Sequence, residues 1–109
     1  MVICVPVTAG GAIDPRWGRA DRVALTETAG GEITSWQELD VGWGTLHDEG
    51  TEGSHHARIA RFLREHDVQT VVADHMGPPM AHMLQQMGLT VLFGAAGDAR
   101  AAVIAAIEA

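Results

Sequence analysis

Five of the six histidines fall in two stretches, His47, His55 and His56 in one and His75 and His82 in the other. Neutral imidazole is a good ligand for iron, zinc or nickel. Lone surface histidines hold metal weakly, so the chemistry depends on whether any of these side chains converge. A second group, Arg16-Trp17-Gly18-Arg19, places two guanidinium groups around an aromatic ring and a glycine. Arginine forms charge-assisted and often bidentate hydrogen bonds to carboxylates and other anions. Cys4 is the sole cysteine, so the chain can form neither an internal disulfide nor an all-cysteine cluster by itself. A metal centre has to lean on histidine, carboxylate or a second subunit.

The elements that position these residues follow from hydrophobic pattern. Residues 2–8 form a continuous apolar run rich in β-branched side chains, as expected of a strand buried on both faces. Residues 22–28 and 33–41 read as further strands joined by Gly30-Gly31, with Ile33, Ser35, Gln37 and Leu39 on one face and Trp36 on the other. Residues 42–53 are glycine-rich, polar and aperiodic, which predicts a mobile lid spanning 41–54. Ser54 is placed to cap a helix carrying Ile59, Phe62 and Leu63 inward. A strand over 68–73 follows, then a helix opened by Pro78-Pro79 with Met80, Met83, Leu84 and Met87 as its buried stripe. A strand over 89–93 and a helix capped by Asp98, with Val103, Ile104 and Ile107 inward, complete the chain.

The order β-β-β-α-β-α-β-α with right-handed crossovers gives one α/β domain over 1–109. Its mixed five-stranded sheet has order 3-2-1-4-5 with strand 2 antiparallel and three helices, the ribonuclease H-like arrangement. Ligands in open sheets bind outside the carboxyl ends of the strands, where strand order reverses. That rule brings His75, the start of the first helix with His55 and His56, and the 16–19 loop to one edge. His47 reaches it only if the lid closes. Adjacent helical residues point about 100° apart, so His55 and His56 are not expected to serve one metal together. His82 reads as solvated and His66 as a helix-end residue. Trp17 and Trp43 either mark a ligand or partner surface or pin their loops to the domain. Cys4 reads as a small buried hydrophobe.

Composition excludes other classes. Seven basic residues against fourteen acidic ones give a net charge of −7, so the field of the protein repels nucleic-acid phosphates. Strand one carries no acid, whereas a two-metal nuclease of this fold needs one there. No nucleophile motif is present. The stripe Arg58, Arg61, Arg64 reads as a solvated helix face. No apolar run is long enough to span a membrane and the first residues do not resemble a signal peptide, so a cytoplasmic protein is expected.

Four segments taken together, Val2-Ile3-Cys4-Val5-Pro6-Val7, Ile13-Asp14-Pro15-Arg16-Trp17-Gly18-Arg19-Ala20, Val71-Val72-Ala73-Asp74-His75-Met76-Gly77-Pro78 and Gly94-Ala95-Ala96-Gly97, resemble the dinitrogenase iron-molybdenum cofactor biosynthesis family. The resemblance implies a small ribonuclease H-like domain, without enzymatic turnover, that binds or carries the iron-molybdenum cofactor or an iron-sulfur precursor in nitrogenase assembly. The implied partners are the metallocluster and a protein of cofactor assembly. Family members often have His-Phe-Gly-Arg where this chain has Arg16-Trp17-Gly18-Arg19, and Gly-Gly where it has Asp74-His75. The expected cofactor site is therefore Arg16, Trp17, Arg19, His55, His56 and His75, with metal ligation by His75 and His55 or His56. The competing expectation is a metal-free regulatory or assembly module that binds a partner protein or a small anion.

Overall fold

In a computed structural model, which describes residues 1–108, the strands are β1 (Val2–Val7), β2 (Arg22–Ala29), β3 (Glu32–Asp40), β4 (Thr70–Val72) and β5 (Thr90–Leu92). The helices are α1 (Trp43–Leu46), α2 (Glu52–Glu65), α3 (Pro78–Gln86) and α4 (Ala99–Glu108), and Trp17–Arg19 forms a single 3-10 turn. The sheet order is β3-β2-β1-β4-β5. β1 pairs antiparallel with β2 and parallel with β4, β4 pairs parallel with β5, and β3 is antiparallel to β2. Only β2 runs against the rest, as the crossover rule requires.

β1 is central because its side chains feed two cores at once. Cys4 points into one layer with Trp17, Trp43, Ile59, Leu63 and Leu84, beneath α1, α2 and α3. Ile3, Val5 and Val7 point into the other with Ala24, Val72, Ala99 and Val103, beneath α4. Burial pushes the Cys4 thiol far above its ordinary range, so it stays protonated and apolar in behaviour.

Several expectations are corrected. In β3 the pairing shifts between Glu27 and Thr28, so that Glu27 faces Ser35 and Thr28 faces Ile33. A bulge of this kind reverses side-chain parity. Ile33 and Trp36 therefore pack toward the α4 layer together, while Leu39 packs into the other core. In α4, Ile104 is 42% exposed. It follows Val103 by one residue, and the ~100° step carries it off the face that this single helix presents to the sheet. Helix α2 starts earlier than expected. Thr51 is its N-cap, and Thr51 and Ser54 form a reciprocal capping box with both hydrogen bonds at 3.1 Å.

The expected lid is partly a fixed element. Trp43 is buried, edge-on to Trp17 and Phe62 with ring centroids 5.2 and 5.6 Å apart. The amides of Val41, Gly42 and Trp43 donate to the carbonyls of Asp21 and Ala20. A glycine-rich segment can fold when one large aromatic supplies the apolar area that its neighbours lack. Gly44 permits the approach. A Cβ there would lie 2.7 Å from Asp21 Oδ1 and 2.8 Å from the Arg19 carbonyl oxygen. Gly44→Ala is therefore expected to cost about 1–3 kcal/mol in chemical denaturation, because backbone must move. A loss below about 0.5 kcal/mol would show that this approach is not a constraint.

Candidate functional site

The carboxyl edge of the sheet, beside the β1/β4 reversal point, holds an open pocket of about 340 Å³. Small-ligand sites typically span about 300–1,000 Å³. Three segments wall it: residues 15–19 after β1, the first turn of α2, and residues 75–80 between β4 and α3. Arg16, Trp17, Arg19, His55, His56 and His75 all line it, and so does His47. The fold thus brings together every residue of the expected site. Their roles differ from expectation.

His55 is buried rather than presented to the pocket's solvent. Its Nε2 lies 2.7 Å from the Gly18 carbonyl oxygen and its Nδ1 lies 2.8 Å from Arg58 Nη1. A carbonyl can only accept and a guanidinium can only donate, so Nε2 carries the proton and Nδ1 accepts. Both ring nitrogens are spent, which removes His55 as a metal ligand in this arrangement. Burial lowers its pKa, and the Gly18 hydrogen bond only partly offsets that effect. Arg58 also donates to the Leu46 carbonyl at 3.3 Å. His55 and Arg58 together tie α2 to the 3-10 turn and to α1. Arg58, read from sequence as part of a solvated stripe, is turned inward. Its spacing of three residues from His55 was the available signal.

The other imidazoles are free to act. His56 Nε2 is 3.8 Å from Glu52 Oε1, and His75, whose side chain is 74% exposed, has Nδ1 3.6 Å from Asp74 Oδ2. His47 stacks edge-on to His55 with centroids 5.0 Å apart, and its Nδ1 is 3.4 Å from Asp48 Oδ1. Among the described residues no three His, Cys, Asp or Glu side chains lie close enough together to hold a metal ion. The expected His55, His56 and His75 ligation is therefore not preformed. Trp17 is a buried wall of the pocket, not an exposed edge.

The arginines divide into a fixed one and a loose one. Arg16 gives Nε–H to Asp14 Oδ1 and Nη2–H to Asp14 Oδ2, both at 3.2 Å, while its backbone amide donates to Asp14 Oδ1 at 2.9 Å. Asp14 is itself buried, and the hydrogen bonds its carboxylate accepts from Arg16 hold that guanidinium above its ordinary pKa. Among the described residues the Arg19 side chain pairs only with the exposed Asp48, at 3.7 Å. The pocket is thus an open cup lined by guanidinium, imidazole and the Glu52 carboxylate and walled by indole and thioether, with the Arg16 guanidinium as its oriented cation.

The family can now be stated. A model of the dinitrogenase iron-molybdenum cofactor family matches residues 1–109. The chain belongs to that family. No curated protein sequence matches it significantly. Among solved structures, PH0822 superposes with a TM-score of 0.80 at 15% identity, covering 99% of this chain and 89% of that one. The apo form of the orange protein from Desulfovibrio gigas gives 0.74 at 23% identity, covering 98% and 87%. A protein of Methanocaldococcus jannaschii, provisionally described as a dinitrogenase, gives 0.72 at 10%, covering 99% and 88%. At these identities the likenesses establish the fold. Within this dinitrogenase iron-molybdenum cofactor domain, the pocket at the sheet's carboxyl edge is where His47, His55, His56 and His75 meet Arg16 and Arg19.

Proposed function

We propose that the chain is a non-enzymatic binding or carrier protein for the iron-molybdenum cofactor, or for an iron-sulfur precursor of it, in nitrogenase cofactor assembly in the cytoplasm. The observation that carries this reading is the convergence of Arg16, Arg19, His47, His56 and His75 on one open pocket in a chain of this family. The cargo is held mainly by charge and hydrogen bonds. His47, His56 and His75 each have a ring nitrogen left for a metal atom of the cluster, and His55 braces the wall behind them. Such a hold is reversible, as a carrier requires, and a protein partner of assembly would load and unload it. No helix among the described residues is long and apolar enough to cross a membrane.

The test is gel filtration of the full chain with isolated iron-molybdenum cofactor under anaerobic conditions, with iron and molybdenum measured in the protein peak. The cofactor is expected to co-elute with the native chain, and His56→Ala/His75→Ala to reduce the bound metal at least severalfold. No metal in the native peak would eliminate the carrier reading. The lack of a ready three-ligand cluster among the described residues favours one second reading, a metal-free assembly module that takes a small anion in the same pocket.

A further inference from the structure

Arg16 stands where the family often has histidine, and its surroundings show what the guanidinium is built to meet. Asp14 is 4% exposed, follows a strand-like bridge at Ile13 and has its own amide bonded to the Pro6 carbonyl at 3.0 Å, so the backbone that carries its buried carboxylate is anchored to the end of β1. That carboxylate takes the side edge of the fork, Nε–H and one Nη2–H. A guanidinium has five N–H donors in one plane. Of the remaining three, one on Nη1 and one on Nη2 form the end-on edge, the second Nη1–H pointing back toward Cδ, and none of the three has a protein acceptor among the described residues. Arg16 lines the pocket with a side chain 61% exposed, so the edge is reachable. A surface arginine usually spends conformational entropy to bind a ligand. Here the backbone amide, the buried carboxylate and the side-edge pair have already fixed the plane.

We infer that Arg16, oriented by Asp14, is a reader of two-oxygen acceptors: the pocket binds a carboxylate or a tetrahedral oxyanion by an end-on bidentate pair with the Nη1/Nη2 edge, without a metal ion. The inference rests on the pocket being the ligand site. It assigns to this chain an oxygen-bearing group, on a free anion or at the periphery of a larger cargo, as the element recognised at the Arg16 wall. Arg19, whose side chain among the described residues pairs only with an exposed carboxylate at 3.7 Å, adds attraction without fixing orientation. Asp14 is a positioning residue that touches no ligand. Lysine cannot replace Arg16, because an ammonium is a point charge with no planar edge.

The experiment is calorimetric titration of the metal-free full chain with inorganic phosphate, malonate and, as a single-atom control, chloride. In parallel, the Arg16 Nε–H resonance is followed by NMR. Phosphate or malonate is expected to bind saturably and to move the Arg16 resonance, while chloride does neither. Binding of phosphate alone would identify an inorganic oxyanion as the source, and of malonate alone an organic carboxylate. Arg16→Gln and Arg16→Lys are each expected to weaken binding about ten- to a hundredfold, the range of one or two charge-assisted hydrogen bonds. Asp14→Asn is expected to weaken it less, with the Arg16 resonance averaged toward that of a free side chain. Equal binding of chloride, native-like affinity in Arg16→Lys, or no oxyanion binding at all would overturn the inference. Failure of both oxyanions with retention of iron-molybdenum cofactor leaves the carrier reading standing without this one. Oxyanion binding without cofactor binding does the reverse.

Discussion

Replacing Trp43 by alanine is expected to lower the unfolding free energy by about 3–5 kcal/mol, the range for deleting a buried aromatic side chain. For a domain of this size that corresponds to a midpoint of thermal unfolding roughly 10–20 °C lower. The reason is that Trp43 is 2% exposed and is the hub of an aromatic chain from Trp17 through Trp43 to Phe62. Removing it vacates the core layer beneath α2 and frees α1. Hydrogen exchange supplies the local readout. The amides of Trp43, Leu46 and His47, which donate to Ala20, Gly42 and Trp43 carbonyls, should be protected in the native chain and lose protection in the variant. A loss under about 1 kcal/mol with unprotected amides in the native chain would restore the picture of a mobile lid. The contrast is His75→Ala, expected to change stability by no more than about 0.5 kcal/mol because that side chain is mostly exposed.

The Trp43 result bears on how far the sequence could be read. Strand order was legible because β1 is apolar throughout, β2 and β3 are separated by two glycines, and right-handed crossovers leave one arrangement for the rest. The meeting of the 16–19 loop, the start of α2 and the β4–α3 turn followed from that order alone. What stayed hidden depends on pairing or packing, which a single chain's periodicity does not encode. The bulge opposite Glu27 exists only in the β2–β3 register. The burial of Trp43 depends on a cavity made by the ring of Trp17 and by the close approach at Gly44. Asp14 was legible as a neighbour of Arg16 in the 13–20 segment but not as its partner, since an i, i+2 pair in a turn-rich segment has no fixed geometry until the backbone is placed. His55 shows the same limit in sharper form. Its neighbour in sequence, His56, is chemically identical, and only the positions of Gly18 and Arg58 distinguish a brace from a candidate ligand.

His55→Ala is accordingly expected to act on stability before it acts on binding. The substitution leaves the Gly18 carbonyl and the Arg58 guanidinium without their partner and opens space beneath the pocket, a cost of about 2–4 kcal/mol. Its pH dependence identifies the cause. Burial depresses the pKa of His55 in the folded chain below the ordinary value of about 6.5. Below that value the unfolded chain therefore binds a proton that the folded chain resists, and linkage makes native stability fall as pH falls. The contribution of His55 is full above about pH 6.5 and is lost as pH drops from there through its own lowered pKa. A protonated ring would also place a second N–H against Arg58 Nη1, so the same acid step breaks the His55–Arg58 hydrogen bond within α2. Urea unfolding of the native chain and of His55→Ala at several pH values between 5 and 8 should show the gap between them narrowing on the acid side, with the slope coming from the native chain. A gap that is constant across that range, or that widens in acid, would refute the neutral-brace assignment. If His55 were instead a metal ligand, His55→Ala would leave metal-free stability nearly unchanged at all pH values and would abolish metal binding outright, so the two roles separate in a single pair of measurements.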